Sequence, residues 1–162
     1  MLLAIPNTDR PMRMSEQLVE QGVHCETLPH PPAYTAQRLA KYLHVPGRQV
    51  AKSVLLKGPA GYALAILPAT HRINMSLLAG QLGEPLRLAN CDELALVFAD
   101  CEWGVAAPFG SRYGLPVYVD ESLSADASIV LEHHSHFEAL RLACDDFIRL
   151  EHAQRLKFAQ LP

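Results

Sequence analysis

Apolar and polar positions follow two periods along this chain, one typical of helices and one typical of strands. Apolar residues at positions 39, 40 and 43, preceded by the favourable N-cap residue Thr35, predict a helix over residues 36–44. Two apolar runs, residues 49–57 and 62–67, predict strands that are joined by a loop of hairpin length. The same reasoning predicts helices over residues 15–21, 74–82, 92–98 and 144–150, and strands over residues 23–28, 86–88, 116–119, 128–131 and 137–142.

The order of these elements indicates the fold class. Helices and strands are intermixed without regular βαβ alternation, which predicts a mixed α/β (α+β) fold with one curved, barrel-like mixed sheet and helices outside it. We expect a single domain over residues 14–162, with residues 1–13 as an irregular lead-in that contains two prolines. Residues 157–162 are expected to fray, with a continuation of the last helix to Phe158 as the alternative.

Composition limits the classes of partner. The net charge of −3 and the pI near 6.2 argue against a broad basic face for duplex nucleic acid, so an RNA would have to be held by a few cations around one pocket. Four widely spaced cysteines form no CxxC pair, which favours reduced thiols in the cytoplasm over a zinc knuckle or a disulfide framework. No stretch is long and apolar enough to predict a membrane span.

Lys52 lies in the middle of the apolar run Val50–Leu56. An ammonium group is costly to desolvate, so a lysine in a core strand usually reaches water, a pocket or an anionic partner. Two interpretations stay open at this point: a lysine on an edge strand that reaches solvent, or a cation at the rim of a cleft that binds a phosphate or carboxylate.

A loop of small residues, Gly104 to Pro108, follows Trp103 and precedes Phe109. Small residues let a ligand approach the backbone, and backbone N–H groups held in this way can bind an ester carbonyl or a developing oxyanion. The alternative is a plain structural turn, because a lone GxxxP pattern is common.

Three histidines, His133, His134 and His136, occupy the predicted loop between two strands. Positions i and i+2 of a strand share a face, so His134 and His136 could bind a metal if further ligands arrived by folding. A single cleft histidine that hydrogen-bonds substrate or water is the favoured interpretation. His30 and Tyr34, beside a proline run, could line the mouth of a pocket.

Six blocks of this chain follow one another in a distinctive order: HPPAYTA (30–36), VAKSV (50–54), LPATHR (67–72), DCEWGVAAPFG (100–110), YGLP (113–116) and VDESL (119–123). Together they resemble the YbaK / prolyl-tRNA-synthetase-associated domain family of trans-acting aminoacyl-tRNA editing deacylases. The resemblance runs from about residue 30 to residue 150.

The resemblance implies a fold, a reaction and a set of site residues. The implied reaction is hydrolysis of the ester that joins a wrong amino acid to tRNA, with no metal or cofactor. Lys52 would orient the tRNA 3′ end through phosphate, Gly104 and Pro108 would bound the loop that faces the ester, and His136 would be the histidine of the last turn. The implied substrate-binding residues are His30, Tyr34, Thr35, Ser53, His71, Val105, Ala106, Ala107, Phe109, His134 and Ser135.

The sequence departs from the family pattern at His134, where a glycine is usual, at Ser135, which takes the usual threonine position, and at Ser53, where some members carry asparagine. The loop residues 105–107 favour a small amino acid such as alanine, serine or cysteine. The partners expected are the acceptor end of a mischarged tRNA and, as a candidate, an aminoacyl-tRNA synthetase that delivers it. A non-catalytic binding module and a metal hydrolase built on His134 and His136 are the alternatives.

Overall fold

The computed structural model describes residues 14–132 and 135–162, so His133 and His134 lie outside the described part. It contains five α-helices and ten strands in these residues, together with 3-10 turns at Gly47–Gln49 and Gly110–Tyr113. The helices are α1 (Met14–Glu20), α2 (Ala36–Leu43), α3 (Met75–Leu82), α4 (Cys91–Val97) and α5 (Cys144–Glu151). The strands are β1 (Cys25–Pro29), β2 (Val50–Gly58), β3 (Gly61–Pro68), β4 (Arg72–Ile73), β5 (Arg87–Leu88), β6 (Val117–Asp120), β7 (Ser128–Glu132), β8 (Glu138–Ala143), β9 (Gln154–Leu156) and β10 (Ala159–Gln160).

Eight of the strands form one mixed sheet. Its order is β1-β8-β7-β2-β3-β6-β9, and β5 pairs with β2 beside this path. The β2–β7, β3–β6 and β6–β9 pairs are parallel, and the other pairs are antiparallel. Strands β4 and β10 form a separate antiparallel pair. A mixed sheet flanked by helices confirms the expected fold class, and no described helix is long and apolar enough to cross a membrane.

Three hydrophobic clusters fill the space around the sheet. The largest contains Phe98, Phe109 and Phe147 and joins strands β2, β3, β6, β7 and β8 to α4 and α5. A second lies under α2, around Leu39, and a third surrounds Phe158. Burial on both faces explains why the central strands read as nearly continuous apolar runs.

Side-chain caps set where three of the described helices begin. Asn74 caps α3 by accepting a hydrogen bond from the Leu77 N–H at 3.0 Å. The Thr35 hydroxyl accepts a hydrogen bond from the Arg38 N–H at 3.1 Å, which confirms the predicted start of α2.

Helix α4 begins at Cys91 and not at the predicted residue 92, because Asn90 is the cap and exchanges two hydrogen bonds with Glu93 in a capping box. Asp92 lies in the first turn, where its negative charge interacts favourably with the positive end of the helix dipole.

The C-terminal segment is ordered, contrary to expectation. Helix α5 ends at Glu151, and its C-cap His152 adopts a left-handed backbone conformation with φ 48°, so the alternative of a continuation to Phe158 is also wrong. Phe158 is completely buried, and β9 and β10 pair with β6 and β4. The terminal position of residues 157–162 suggested fraying, but this segment is held by partners that are distant in sequence.

Asp120 fastens this segment to the sheet. Its Oδ1 accepts hydrogen bonds from the N–H groups of Phe158 at 2.7 Å and Ala159 at 2.8 Å, and Oδ2 accepts from the Ser122 N–H and hydroxyl. Burial by itself would raise the pKa of Asp120, but these hydrogen bonds outweigh it and hold the pKa below its usual value.

Replacement of Asp120 by alanine is expected to lower the free energy of unfolding by about 3 kcal/mol, because buried N–H groups lose their acceptor. Chemical denaturation of Asp120→Ala beside Asp126→Ala, an exposed aspartate near the same turn, measures the difference. Because the pKa of Asp120 is lowered by folding, its contribution is complete above the unfolded-state pKa and is lost as pH falls through the folded-state pKa. Equal stability of the two variants would contradict the anchoring role.

Candidate functional site

A cleft of about 300 Å³ opens between the N-terminal end of α2, strand β2, the Gly104 loop and the end of β7. Its walls combine small and apolar residues, such as Ala51 and Leu39, with a few polar groups. Seven residues predicted for the site line it: Tyr34, Thr35, Lys52, Ser53, Gly104, Ala106 and His136.

Lys52 supplies the positive charge of this cleft. Strand β2 lies in the middle of the sheet, between β7 and β3, so Lys52 is not on an edge strand. Its side chain is partly buried, and burial lowers the pKa of its ammonium group. Within residues 14–132 and 135–162, the ammonium group has no hydrogen-bond or ion-pair partner. A partly desolvated, unpaired cation is suited to bind an anionic ligand.

The Gly104 loop presents backbone to the same cleft. Gly104 has φ +88°, a conformation that side chains other than glycine rarely adopt, and a Cβ atom there would lie 3.6 Å from His136 Nε2. The N–H groups of Gly104 and Ala106 make no hydrogen bond to the described part of the chain, whereas the Val105 N–H bonds to the Glu102 carbonyl at 3.1 Å. Two free donors therefore border the cleft, as binding of a carbonyl oxygen requires.

His136 is held between the loop and the end of β7. Only 6% of it is exposed, and its ring lies 4.8 Å from the ring of Tyr34, centroid to centroid. Its Nε2 lies 3.0 Å from the Trp103 carbonyl, and its backbone N–H donates to the Glu102 carboxylate at 2.8 Å. Since a carbonyl oxygen can only accept, Nε2 carries a hydrogen and donates it. His136 thereby fixes the backbone immediately before Gly104.

Glu132 is a cleft residue that the sequence analysis missed. Its carboxylate Oε1 lies 3.2 Å from Nδ1 of His136, and burial raises its pKa to about 7, with the charge of Glu102 adding to the rise and His136 opposing it. A signal was present in the sequence, because Glu132 shares a strand face with Val130, a buried residue. A carboxylate on a buried strand face needs a partner.

The other predicted residues that the structure describes lie away from the cleft lining. Val105, Ala107, Pro108 and Phe109 are buried, and Phe109 packs against Phe147 in the core. These four residues therefore support the loop on its buried side and do not face the cleft.

The other polar residues of the prediction serve local contacts. His30 is buried, with Nδ1 2.7 Å from the Pro31 carbonyl. His71 bonds the Thr70 hydroxyl, and Ser135 accepts from the Phe137 N–H. His134 lies outside the described residues, so its predicted role and the proposed metal face stay predictions; among described residues, no three potential ligands are grouped as a metal site would need.

Comparison with known proteins identifies the family. The aminoacyl-tRNA editing domain matches residues 30–150. Two proline–tRNA ligases are similar: that of Thermosipho africanus is 32% identical over 65 residues, 40% of this chain and 12% of the ligase, and that of Fervidobacterium nodosum is 30% identical over 111 residues, 66% of this chain and 19% of the ligase. The chain spans less than a fifth of the length of either curated relative.

Solved structures agree on the fold. A protein described as a proposed trans-editing enzyme for prolyl-tRNA synthetase superposes with a TM-score of 0.80 at 23% identity, covering 91% of this chain and 95% of that chain. A hypothetical protein superposes with a TM-score of 0.81 at 18% identity, covering 90% and 98%. The chain belongs to the aminoacyl-tRNA editing domain family, and the resemblance seen in the sequence blocks is confirmed.

Proposed function

We propose that this protein hydrolyses the ester bond of a mischarged tRNA that carries a small amino acid such as alanine, serine or cysteine. One observation carries the proposal: the Lys52 ammonium and the N–H groups of Gly104 and Ala106 border the same cleft, and none of them is paired within the described part of the chain. Family membership supports aminoacyl-tRNA as the substrate and deacylation as the reaction.

In this proposal Lys52 binds a phosphate at the tRNA 3′ end, and the loop donors bind the ester carbonyl. As negative charge develops on that oxygen during attack by water, fixed N–H donors stabilise it without reorganisation. The family resemblance adds the terminal ribose hydroxyl as the group that helps to activate the water. Both ring nitrogens of His136 face acceptors, so we assign His136 the task of positioning the loop.

Two exposed aromatic rings suit a single-stranded RNA end. Tyr34 lines the cleft and is 72% exposed, and Trp103, next to Gly104 in sequence, is 69% exposed. Unpaired bases stack on such rings without needing a broad basic surface. This is consistent with an RNA substrate for a protein of net charge −3.

The small cleft supports a small amino acid. The cleft of about 300 Å³ would have to hold the acylated end of the tRNA as well as the amino-acid side chain, so the volume left for that side chain is limited. Discrimination between substrates that differ by one methylene is expected to be only about 10- to 200-fold. A synthetase that delivers the mischarged tRNA is a candidate partner, in line with the similarity to proline–tRNA ligases.

A deacylation panel tests the proposal. Correctly charged and mischarged tRNAs that carry alanine, serine, cysteine or proline are incubated with the protein, and loss of the ester is followed over time. We expect turnover on one or two mischarged tRNAs well above spontaneous hydrolysis. Binding without turnover by folded protein would contradict a deacylase and favour a binding module in the same cleft.

A further inference from the structure

One ring nitrogen of the buried His136 lacks a hydrogen-bond partner among the described residues. Because Nε2 donates to the Trp103 carbonyl, the neutral ring leaves Nδ1 as an acceptor. Nδ1 is buried and makes no hydrogen bond to any described residue. Glu132 Oε1 lies 3.2 Å from Nδ1 and is also an acceptor when the carboxyl is ionised. Two acceptors that face each other create a region of negative electrostatic potential, which a cation or a proton would neutralise.

Glu132 belongs both to this region of negative potential and to the cleft lining. Its side chain is 23% exposed and lines the cleft with His136. Among the described lining residues, Glu132 is the one carboxylate and Lys52 the one Lys or Arg cation. Val50 and Ala51 of β2 pair in parallel with Val130 and Leu131 of β7, so Lys52 and Glu132 come next on neighbouring strands.

The 3′ end of an aminoacyl-tRNA carries the complementary charges. Its phosphates are negative, and the α-amino group of the esterified amino acid is positive when protonated, with the ester between them. We propose that Glu132 binds the α-ammonium group of the substrate, while Lys52 binds its phosphate. This inference rests on the proposed function and adds to it the recognition of the amino acid by its free amino group.

This assignment has two consequences for the reaction. Charged groups on both sides of the ester would hold the carbonyl against the Gly104 loop, which is the kind of positioning that lowers a barrier without a protein nucleophile. It also defines the substrate class, because esters whose amino group is acylated, as in formylated or peptidyl-tRNA, carry no ammonium group. These esters would leave Glu132 without a partner.

The charges around Glu132 determine how binding should depend on pH. His136 and Glu102 act directly on Glu132, and Lys52 lines the same cleft. The pKa of Glu132 is raised to about 7, so the carboxylate gains a proton as pH falls through this value. KM for a substrate with an α-ammonium group is therefore expected to rise below pH 7, whereas KM for an uncharged analogue should stay nearly constant over the same range.

Matched substrates and variants test the proposal. The same tRNA is charged with an amino acid, with its α-hydroxy analogue and with its N-acetyl derivative, and kcat/KM is measured for the wild-type protein, Glu132→Gln and Glu138→Gln. We expect the wild type to prefer the amino ester over the hydroxy ester by about 10- to 100-fold, the range of a charge-assisted hydrogen bond. Glu132→Gln should lose this preference by losing activity on the amino ester only, and Glu138→Gln should behave as the wild type.

Other outcomes would overturn the proposal. If Glu132→Gln lowers activity equally on the amino and hydroxy esters, Glu132 only positions His136; if it lowers neither, it has no part in recognition. Glu132→Asp, which retains the charge, should restore part of the preference and serves as a second variant if glutamine disturbs folding.

Binding separates failure of this proposal from failure of the proposed function. The affinities of two non-hydrolysable 3′-amide analogues of the acylated terminal adenosine, one with an α-amino and one with an α-hydroxy group, are compared. An ammonium preference that depends on Glu132 would support the proposal even for a protein that hydrolyses none of the esters, and equal affinities would overturn it. Absence of hydrolysis on the whole deacylation panel would separately overturn the deacylase function.

Discussion

Lys52→Ala is expected to lower kcat/KM for deacylation by about 100-fold, because a charge-assisted hydrogen bond to phosphate contributes about 1.5–3 kcal/mol. Little stability should be lost, since burial lowers the pKa of the ammonium and no described residue pairs with it. Removal of a desolvated, unpaired charge relieves a cost of folding. The measurement is single-turnover deacylation together with thermal unfolding of both proteins.

Lys57→Ala is the matched control. Lys57 lies on the same strand and carries the same charge, but its ammonium lies 4.3 Å from the centroid of the Tyr62 ring and does not line the cleft. Lys57→Ala should retain full activity. The activity of the wild type should also depend more steeply on salt than that of Lys52→Ala, because a phosphate contact is lost in the variant. Equal activity of Lys52→Ala and the wild type would contradict the role of Lys52.

Gly104→Ala is expected to reduce deacylation by about 10- to 100-fold while lowering stability by about 1 kcal/mol. The added Cβ meets His136 only at ordinary contact distance, so the effect arises from the backbone. At φ +88° alanine is strained, and relief of this strain would turn the free N–H groups of the loop away from the ester carbonyl.

Gly114→Ala separates backbone strain from function. Gly114 has φ +69°, and a Cβ there would meet nothing within 4 Å, so the two substitutions impose a similar strain. Gly114 ends the 3-10 turn Gly110–Tyr113 and does not line the cleft. Thermal unfolding should show similar losses for both variants, and kcat should fall only in Gly104→Ala. A parallel loss of kcat in both would assign the effect to general loosening of the fold.

Local physics made most elements predictable from the sequence. The alternation of apolar residues and caps such as Thr35 act within a few residues, and the predicted helices and main strands are present with ends within two residues of those expected. The strands β4, β9 and β10 were missed, because they are two or three residues long and exist only through distant partners. Phe158 shows the reason: it is the fifth residue from the end of the sequence, where no periodic pattern predicts an element, yet it is completely buried by residues brought from elsewhere in the chain.

The components of the site can be identified in the sequence: a lysine within an apolar strand, a loop of small residues and a histidine after a strand. Which of these components lie together in one cleft depends on the three-dimensional fold. The parallel pairing of β2 with β7 brings Glu132 and Lys52 to the lining of the same cleft, and the contact of His136 with the Trp103 carbonyl spans 33 positions. Such contacts depend on strand order and register, which arise from packing of the whole sheet and leave no local pattern in the residues that they join.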